Sequence, residues 1–461
     1  MTLPGATVET QDERGPSGAV TSLGTAFIIG ELETGPETPT RIRRARDLAQ
    51  FGVRNADTQS VHDYVDDLVG EGGGLAYVVR LLGADADYAT LNLSDGTTIA
   101  LSVRALYRGA FGNRISIDID VSGSTFKVKV YLDGALKEDS GFLADGPAAA
   151  VWSLKSKYVR ITDGPGGDPV ALSSPSPLIG GDDDLDGITT AEIAAAAASF
   201  PEHLGTGSYV LPGRTASASY LAVAPAAREM NRLIRVQLPP LSDAQALADE
   251  AAEYRDSEYF DIVDLLAPAL TYPGLTPGAT RSGSPTAVRI GAECRNDRAG
   301  KSPNQPAAGD WGRAQYAIAP TIEWDKDDLD TLYDAGINVV RVVRGELKVY
   351  GSRTAADPDL ADVALRIGSA RMRMAFVEIA KDRAERVVFA ELDDGGTVLS
   401  EHAGQLASAI NVFAPSLHFL DVTAAIEEDE VGGYVEFVIT FQAARDAERV
   451  KTIVARQITE D

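Results

Sequence analysis

Cysteine is almost missing: Cys294 stands alone among 461 residues. That excludes an intramolecular disulfide framework and any cysteine-rich zinc or iron–sulfur site. Histidine is scarce too, and four residues leave few ligands for a metal cage. Positive charge is in deficit, with 42 Lys and Arg against 68 Asp and Glu for a net charge of −26. Such a balance argues against nucleic acid or an anionic membrane surface as the main partner. No apolar run approaches the roughly 18 residues of a membrane span, so no membrane insertion is expected. The opening MTLPGATVETQD lacks the basic start and apolar core of a signal peptide. The expectation is a soluble protein made in a reducing compartment, with no metal and no cofactor.

What is present suits a large globular chain. The length allows about three domains, and 44% hydrophobic residues is ordinary for one that buries a core. Residues 1–20 hold Pro4-Gly5 and Gly15-Pro16 and little apolar content, which reads as an extended arm. In 21–96, LGTAFIIG is a glycine-bounded buried strand, 41–70 has helical spacing, and LAYVVRLL is a second strand. This βαβ order predicts an α/β core.

The texture changes over 97–185. Ile115, Ile117, Ile119 and Val121 alternate with polar residues, as do Phe126, Val128, Val130 and Leu132, which end at Asp133-Gly134. The pattern predicts an inserted antiparallel unit with one wet face. Within 186–330 come a capping box at Thr189 and Glu192, a helix over 243–256, and a strand over 259–266. The stretch 274–313, rich in Gly, Pro, Ser, Asn and Arg, reads as a long loop. Residues 331–445 hold a strand at 337–343, a helix over about 359–383, a strand at 386–392, a helix over about 397–411 and a strand through 435–441. A last strand-like run occupies 446–461. The fold class is therefore α/β (α+β) and multi-domain: a mixed-sheet core, an inserted β-rich domain and extended N- and C-terminal arms.

Catalytic motifs are not legible. Gly300-Lys301-Ser302 ends like a P-loop, but Arg295 stands where its first glycine belongs and no strand leads in. Asp182, Asp184, Asp186 and Gly187 begin like a calcium loop, but position twelve is Ile193 rather than glutamate. His62, with Asp63, Asp66 and Asp67, reads as part of a solvated helix face. A carboxylate pair for glycoside hydrolysis has no sequence signature, so an envelope- or glycan-degrading hydrolase stands as the alternative function. The helix over 360–378 has an apolar stripe (Leu360, Val363, Ala364, Ile367, Ala370, Met374, Val377), with Arg366 and Arg373 on its far side and Arg371 toward the stripe.

The order of motifs resembles the contractile tail sheath family of phages and phage-tail-like particles. PGATVETQD, GGGLAYVVRLLG, RGAFGNRISIDID and LIGGDDDLDGITTAEI are each similar to a family block. LYDAGINVVRVVRGELKVYGSRTAADPD resembles the C-terminal signature, although Tyr350 stands where the family often has tryptophan. The resemblance implies a non-enzymatic virion structural subunit in stacked rings of six around a tail tube. Contraction would drive that tube through a cell envelope, with stored contact energy and no nucleotide. Its implied partners are further copies of itself, the tail tube protein, and baseplate and tail terminator proteins; its place is the virion tail, assembled in the host cytoplasm. A C-terminal helix of the family faces the tube, which makes Arg366 and Arg373 the tube-facing candidates.

The ends carry the remaining expectation. Residues 1–20 can span about 66 Å and 447–461 about 50 Å at ~3.3 Å per residue. The run Arg449, Val450, Lys451, Thr452, Ile453, Val454, Ala455, Arg456, Gln457 and Ile458 is expected, with part of the N-terminal arm, to complete a sheet in an adjacent subunit. The competing arrangement folds it back on Tyr434 to Phe441 of its own chain.

Overall fold

A computed structural model describes residues 23–54, 59–357, 365–385, 397–429 and 432–443. The glycine-bounded run forms β1 (Ala26–Gly30), buried throughout. The short strand β2 (Thr40–Ile42), helix α1 (Gln59–Gly70) and β3 (Ala76–Arg80) follow. β1 and β3 pair in parallel from Ala26↔Ala76 to Gly30↔Arg80, as the βαβ order predicts. Val61, Tyr64, Val65 and Leu68 of α1 lie in one buried cluster with Ala26 and Ile28. The helix expected over 41–70 is shorter than its pattern suggested: β2 is an edge strand and Ala45–Phe51 is a 3₁₀ turn. Leu48 and Phe51 are its buried residues, and a three-residue spacing suits the 3₁₀ repeat.

The inserted unit has strands β4 (Thr90–Ser94), β5 (Ile99–Ala105), β6 (Ile115–Ser122), β7 (Thr125–Leu132) and β8 (Ala135–Asp139). Helix α2 (Gly146–Ser153), β9 (Val159–Asp163) and β10 (Ser176–Pro177) complete it. Two antiparallel sheets, β4-β5-β9 and β10-β6-β7-β8, share one apolar cluster. Ile115, Ile117, Ile119, Phe126, Val128 and Val130 fill it, while Val121, at the strand end, is exposed. Asp133 and Gly134 both adopt positive φ, as a tight hairpin turn requires. The unit leaves and rejoins the core side by side, where Asp87 N–H donates to Asp182 C=O at 2.9 Å.

The chain then runs through α3 (Thr190–Ala198), β11 (Ser208–Val210), α4 (Ser217–Ala222), α5 (Ala224–Glu229) and β12 (Leu233–Gln237). Next come α6 (Ala244–Arg255), β13 (Val263–Ala267), β14 (Leu270–Pro273), β15 (Thr280–Gly283) and α7 (Pro285–Arg298). β16 (Ala319–Pro320), α8 (Lys326–Asp334), β17 (Ile337–Val343) and β18 (Glu346–Tyr350) follow. Last are α9 (Ile367–Ala384), α10 (Thr397–Ile410), β19 (Leu417–Asp429) and β20 (Gly432–Ala443). Eight strands form the main sheet in the order β18-β17-β13-β12-β11-β1-β3-β2, antiparallel at its two ends.

Two stretches differ from the sequence expectation. The loop expected over 274–313 contains β15 and α7, and α7 is buried along most of its length. Its polar composition conceals this, because the charges pair inside. β19 was not anticipated either; with β20 it forms a separate two-stranded sheet. The strand at 386–392, both terminal arms, and Leu360, Val363 and Ala364 of the helical stripe lie outside the described residues.

Candidate functional site: a buried charge centre and an open C-terminal hairpin

The motif fragments turn out to be structural. Gly300 follows the C-terminal end of α7, its N–H donating to Asp297 C=O, whereas a P-loop precedes its helix. Lys301 instead lies 4.5 Å from the Trp311 ring centroid. In the acidic loop, Asp184 accepts from Asp85 N–H at 3.0 Å and Asp183 pairs with the buried Arg80 at 2.6 Å. Among the described residues no three His, Cys, Asp or Glu side chains are grouped to hold a metal.

The carboxylates after His62 do not form a solvated face. Asp67 is fully buried and Asp63 nearly so. Arg54 binds Asp63 through two contacts of 2.7 and 2.9 Å. Arg281 of β15 grips Asp67 likewise, at 2.9 and 2.6 Å. Together with Pro212, Gly213 and Gln237 they line a cavity of about 330 Å³. It lies past the carboxyl ends of β11 and β12, near the point where connections from β1 diverge across the sheet. Burial pushes the Asp67 carboxyl up to about 7, with Arg281 pulling the other way. Both carboxylates are held by guanidinium groups, an arrangement that clamps α1 to β15 rather than leaving an acid–base pair available.

A larger charge centre lies beneath the sheet. Arg289, Glu293 and Asp297 repeat every four residues along one face of α7. Arg235 of β12 donates to both Glu293 oxygens at 2.7 Å and also to Asp264 of β13. Arg289 Nε lies 3.1 Å from Asp264 Oδ2, and its other nitrogens donate to Ala307 C=O and Gly351 C=O. Asn338 of β17 donates to the remaining Asp264 oxygen at 2.6 Å. Arg371 of α9 closes the chain on Asp297 at 2.7 and 2.9 Å. Arg235, Asp264, Arg289, Glu293 and Arg371 are all no more than 2% exposed. Burial by itself lowers an arginine's pKa, and it does so at Arg289. At Arg371 the Asp297 and Glu293 carboxylates outweigh burial and raise it. The centre ties β12, β13, β17, α7 and α9 into one body. Sequence reading missed it, although Ser284 as N-cap and Pro285 at the first helical position are legible helix-start signals.

The sequence-designated residues divide three ways. Arg449, Val450, Lys451, Thr452, Ile453, Val454, Ala455, Arg456, Gln457 and Ile458 lie outside the described residues. Arg373 pairs with Asp261 at 2.8 Å and keeps 41% of its side chain exposed. Arg366 is not on a solvated side: it is 7% exposed and bridges to Arg353 just before α9 begins. Arg371 does point inward, as expected.

The C-terminal hairpin is the more open element. β19 and β20 pair from Leu417↔Ala443 to Asp429↔Gly432. Phe441 meets Phe376 of α9 edge-on, with centroids 4.7 Å apart. Neither edge of this sheet carries a third strand among the described residues, and Phe419 and Val438 stay exposed.

This chain has the fold of contractile tail sheath proteins. It is similar to the sheath tail protein of Desulfitobacterium hafniense, at 14% identity over 95% of this chain and 100% of that one, with a TM-score of 0.59. The sheath tail protein of Listeria innocua matches at 14% identity over 90% and 94%, with a TM-score of 0.61. A contracted-state sheath chain of the PVC extracellular contractile injection system matches at 12% identity over 100% and 98%, with a TM-score of 0.53. No protein-family model matches the chain, and no curated protein does.

Proposed function

We propose that the chain is the sheath subunit of a contractile tail. It polymerises as stacked rings of six around a tail tube and contracts to drive that tube through a cell envelope. The observation that carries this reading is the sheath fold, matched along almost the whole of both chains. The role is structural and non-enzymatic. Its partners are copies of itself, the tail tube protein, and baseplate and tail terminator proteins, in a tail particle assembled in the host cytoplasm.

The open-edged hairpin supports strand addition between subunits. One edge of β20 is taken by β19, and each outer edge offers backbone groups to an incoming strand. Arg449 to Ile458 of a neighbour is the proposed strand, helped by part of the N-terminal arm. Arg373, with its partly exposed guanidinium, is the stronger tube-facing candidate, and the buried Arg366 the weaker. The proposed domains follow the divisions drawn from sequence, except that the inserted unit runs from about 88 to 181 and 274–313 holds a strand and a helix.

Electron microscopy of the purified chain tests the function: striated tubes or rings are expected, and stable monomers with glycan-hydrolysing activity would overturn it. Val454→Pro tests the arm, since proline removes a ladder donor. The expected outcome is a normally melting monomer that no longer polymerises.

A further inference from the structure

The outer end of the main sheet is cationic in a strongly acidic chain. Arg341 of β17 stacks its guanidinium 4.1 Å from the Tyr350 ring centroid, and its buried Nε has no hydrogen-bond partner. Its cross-strand neighbour Lys348 reaches Asp310 at 2.5 Å, beside Trp311 with Lys301 over the ring. Arg344, in the β17–β18 turn, and Arg313 are exposed. Among the described residues these five cations form ion pairs with Asp310 and Glu346 alone. Trp311, Val342 and Tyr350 remain between 43% and 47% exposed. Exposed aromatics mixed with arginine are the composition of an interface centre rather than of ordinary surface.

Helices α8 and α6, packed along the sheet, carry the complementary charge. Asp325, Asp327, Asp330 and Asp334 of α8 and its cap are exposed, and α6, packed against α8, adds Asp249 and Asp256. Lys326, on the same helix, meets Asp330 only at 3.6 Å, with both side chains largely in solvent. Among the described residues no ion pair joins the two groups within one chain.

We infer that the cationic β17–β18 end of one subunit docks on the acidic α6–α8 face of a second copy, in a head-to-tail contact. Complementary patches at two different places on one chain make a heterologous interface, which propagates into rings or filaments instead of closing as a two-fold dimer. The inference deepens the sheath reading and rests on it for its setting, yet the contact can be tested separately.

The experiment is charge exchange on the full chain. Lys301→Glu with Arg344→Glu reverses the basic end, and Asp330→Lys with Asp334→Lys reverses the acidic one. All four side chains are exposed, and thermal melting checks that each variant folds. Sedimentation velocity over a concentration and salt series should show each pair weakening self-association at least about tenfold. In an equimolar mixture of the two variants every contact between unlike variants is charge-matched, and the quadruple variant likewise matches every contact, so both should associate like the unaltered chain. Undiminished association of either reversed variant, no recovery in the quadruple variant, or an unaltered chain that stays monomeric at every concentration overturns the contact. Microscopy of the same samples separates the two proposals. Tubes that persist in the reversed variants leave the sheath reading standing without this contact. Salt-sensitive association with charge-swap recovery but no tubes or rings leaves the contact without the sheath.

Discussion

The inserted β unit and helix α7 are opposite cases of how charge and burial combine. In the inserted unit the apolar side chains alternate inward, and Lys127 and Lys129 meet Asp118, Asp120 and Asp139 on the wet face. In α7, Arg289 and Glu293 are buried beside apolar residues, and they are satisfied by partners from β12, β13 and α9 and by the Ala307 and Gly351 carbonyls. The first region is stabilised by removing hydrocarbon from water. The second tolerates interior charge because the ions close on one another and on backbone carbonyls. Polar composition therefore does not by itself mark a loop.

The largest expected effect lies in the charge centre. Glu293→Ala removes one of the two carboxylates that hold Arg235 and loosens Arg371, and uncompensated buried charge costs about 3–5 kcal/mol. Denaturant unfolding should show that loss, and a change below about 1 kcal/mol would mean that the pairs are not desolvated. Ile119→Ala tests the other region, where removing a buried aliphatic side chain costs about 2–4 kcal/mol. If the inserted unit unfolds independently, that loss appears in a separate transition.

A smaller effect depends on pH. Burial raises the Asp67 carboxyl to about 7, above its ordinary value of 3.8. The folded chain therefore holds a proton that the unfolded chain has released between those values, and stability falls as pH rises through that window. Asp67→Asn should flatten the slope; unchanged slopes in melting curves from pH 4 to 7 would assign it to another group. Asp120→Ala, on the wet face, should leave the unfolding midpoint almost unmoved. The smallest effect is expected for assembly when 88–181 is replaced by a short Gly/Ser bridge. Asp87 and Asp182 already adjoin, so the core should still polymerise, and a folded variant without tubes would make the inserted unit part of the assembly contact.

Legibility in the sequence followed the same division. The β1–α1–β3 order, the β6–β7 hairpin, the Thr189 cap and β17 were readable because each depends on local periodicity or on a turn residue. Helix α7 was not, since charged residues of the types that usually mark a surface, Arg289 and Glu293, are buried among its apolar ones. The C-terminal hairpin was half legible: β20 alternates, whereas β19 begins in LHFLDVTAAIEED, where apolar residues fall on both faces. Arg366 and Arg373 are seven residues apart in one helical pattern, but only the structure shows that Arg366 is buried beside Arg353, ahead of α9, while Arg373 is half-exposed.

By itself, then, the sequence determined the α/β core, the alternating inserted unit and the ordering of blocks that resembles tail sheath proteins, because these follow from short-range pattern and chain order. Tertiary structure decided which charges are interior, which sheet edges stay open, and that a cationic patch and a separate acidic helix face form on one chain. Those properties depend on which distant segments meet, and a buried guanidinium and a solvated one are the same letter until their partners arrive.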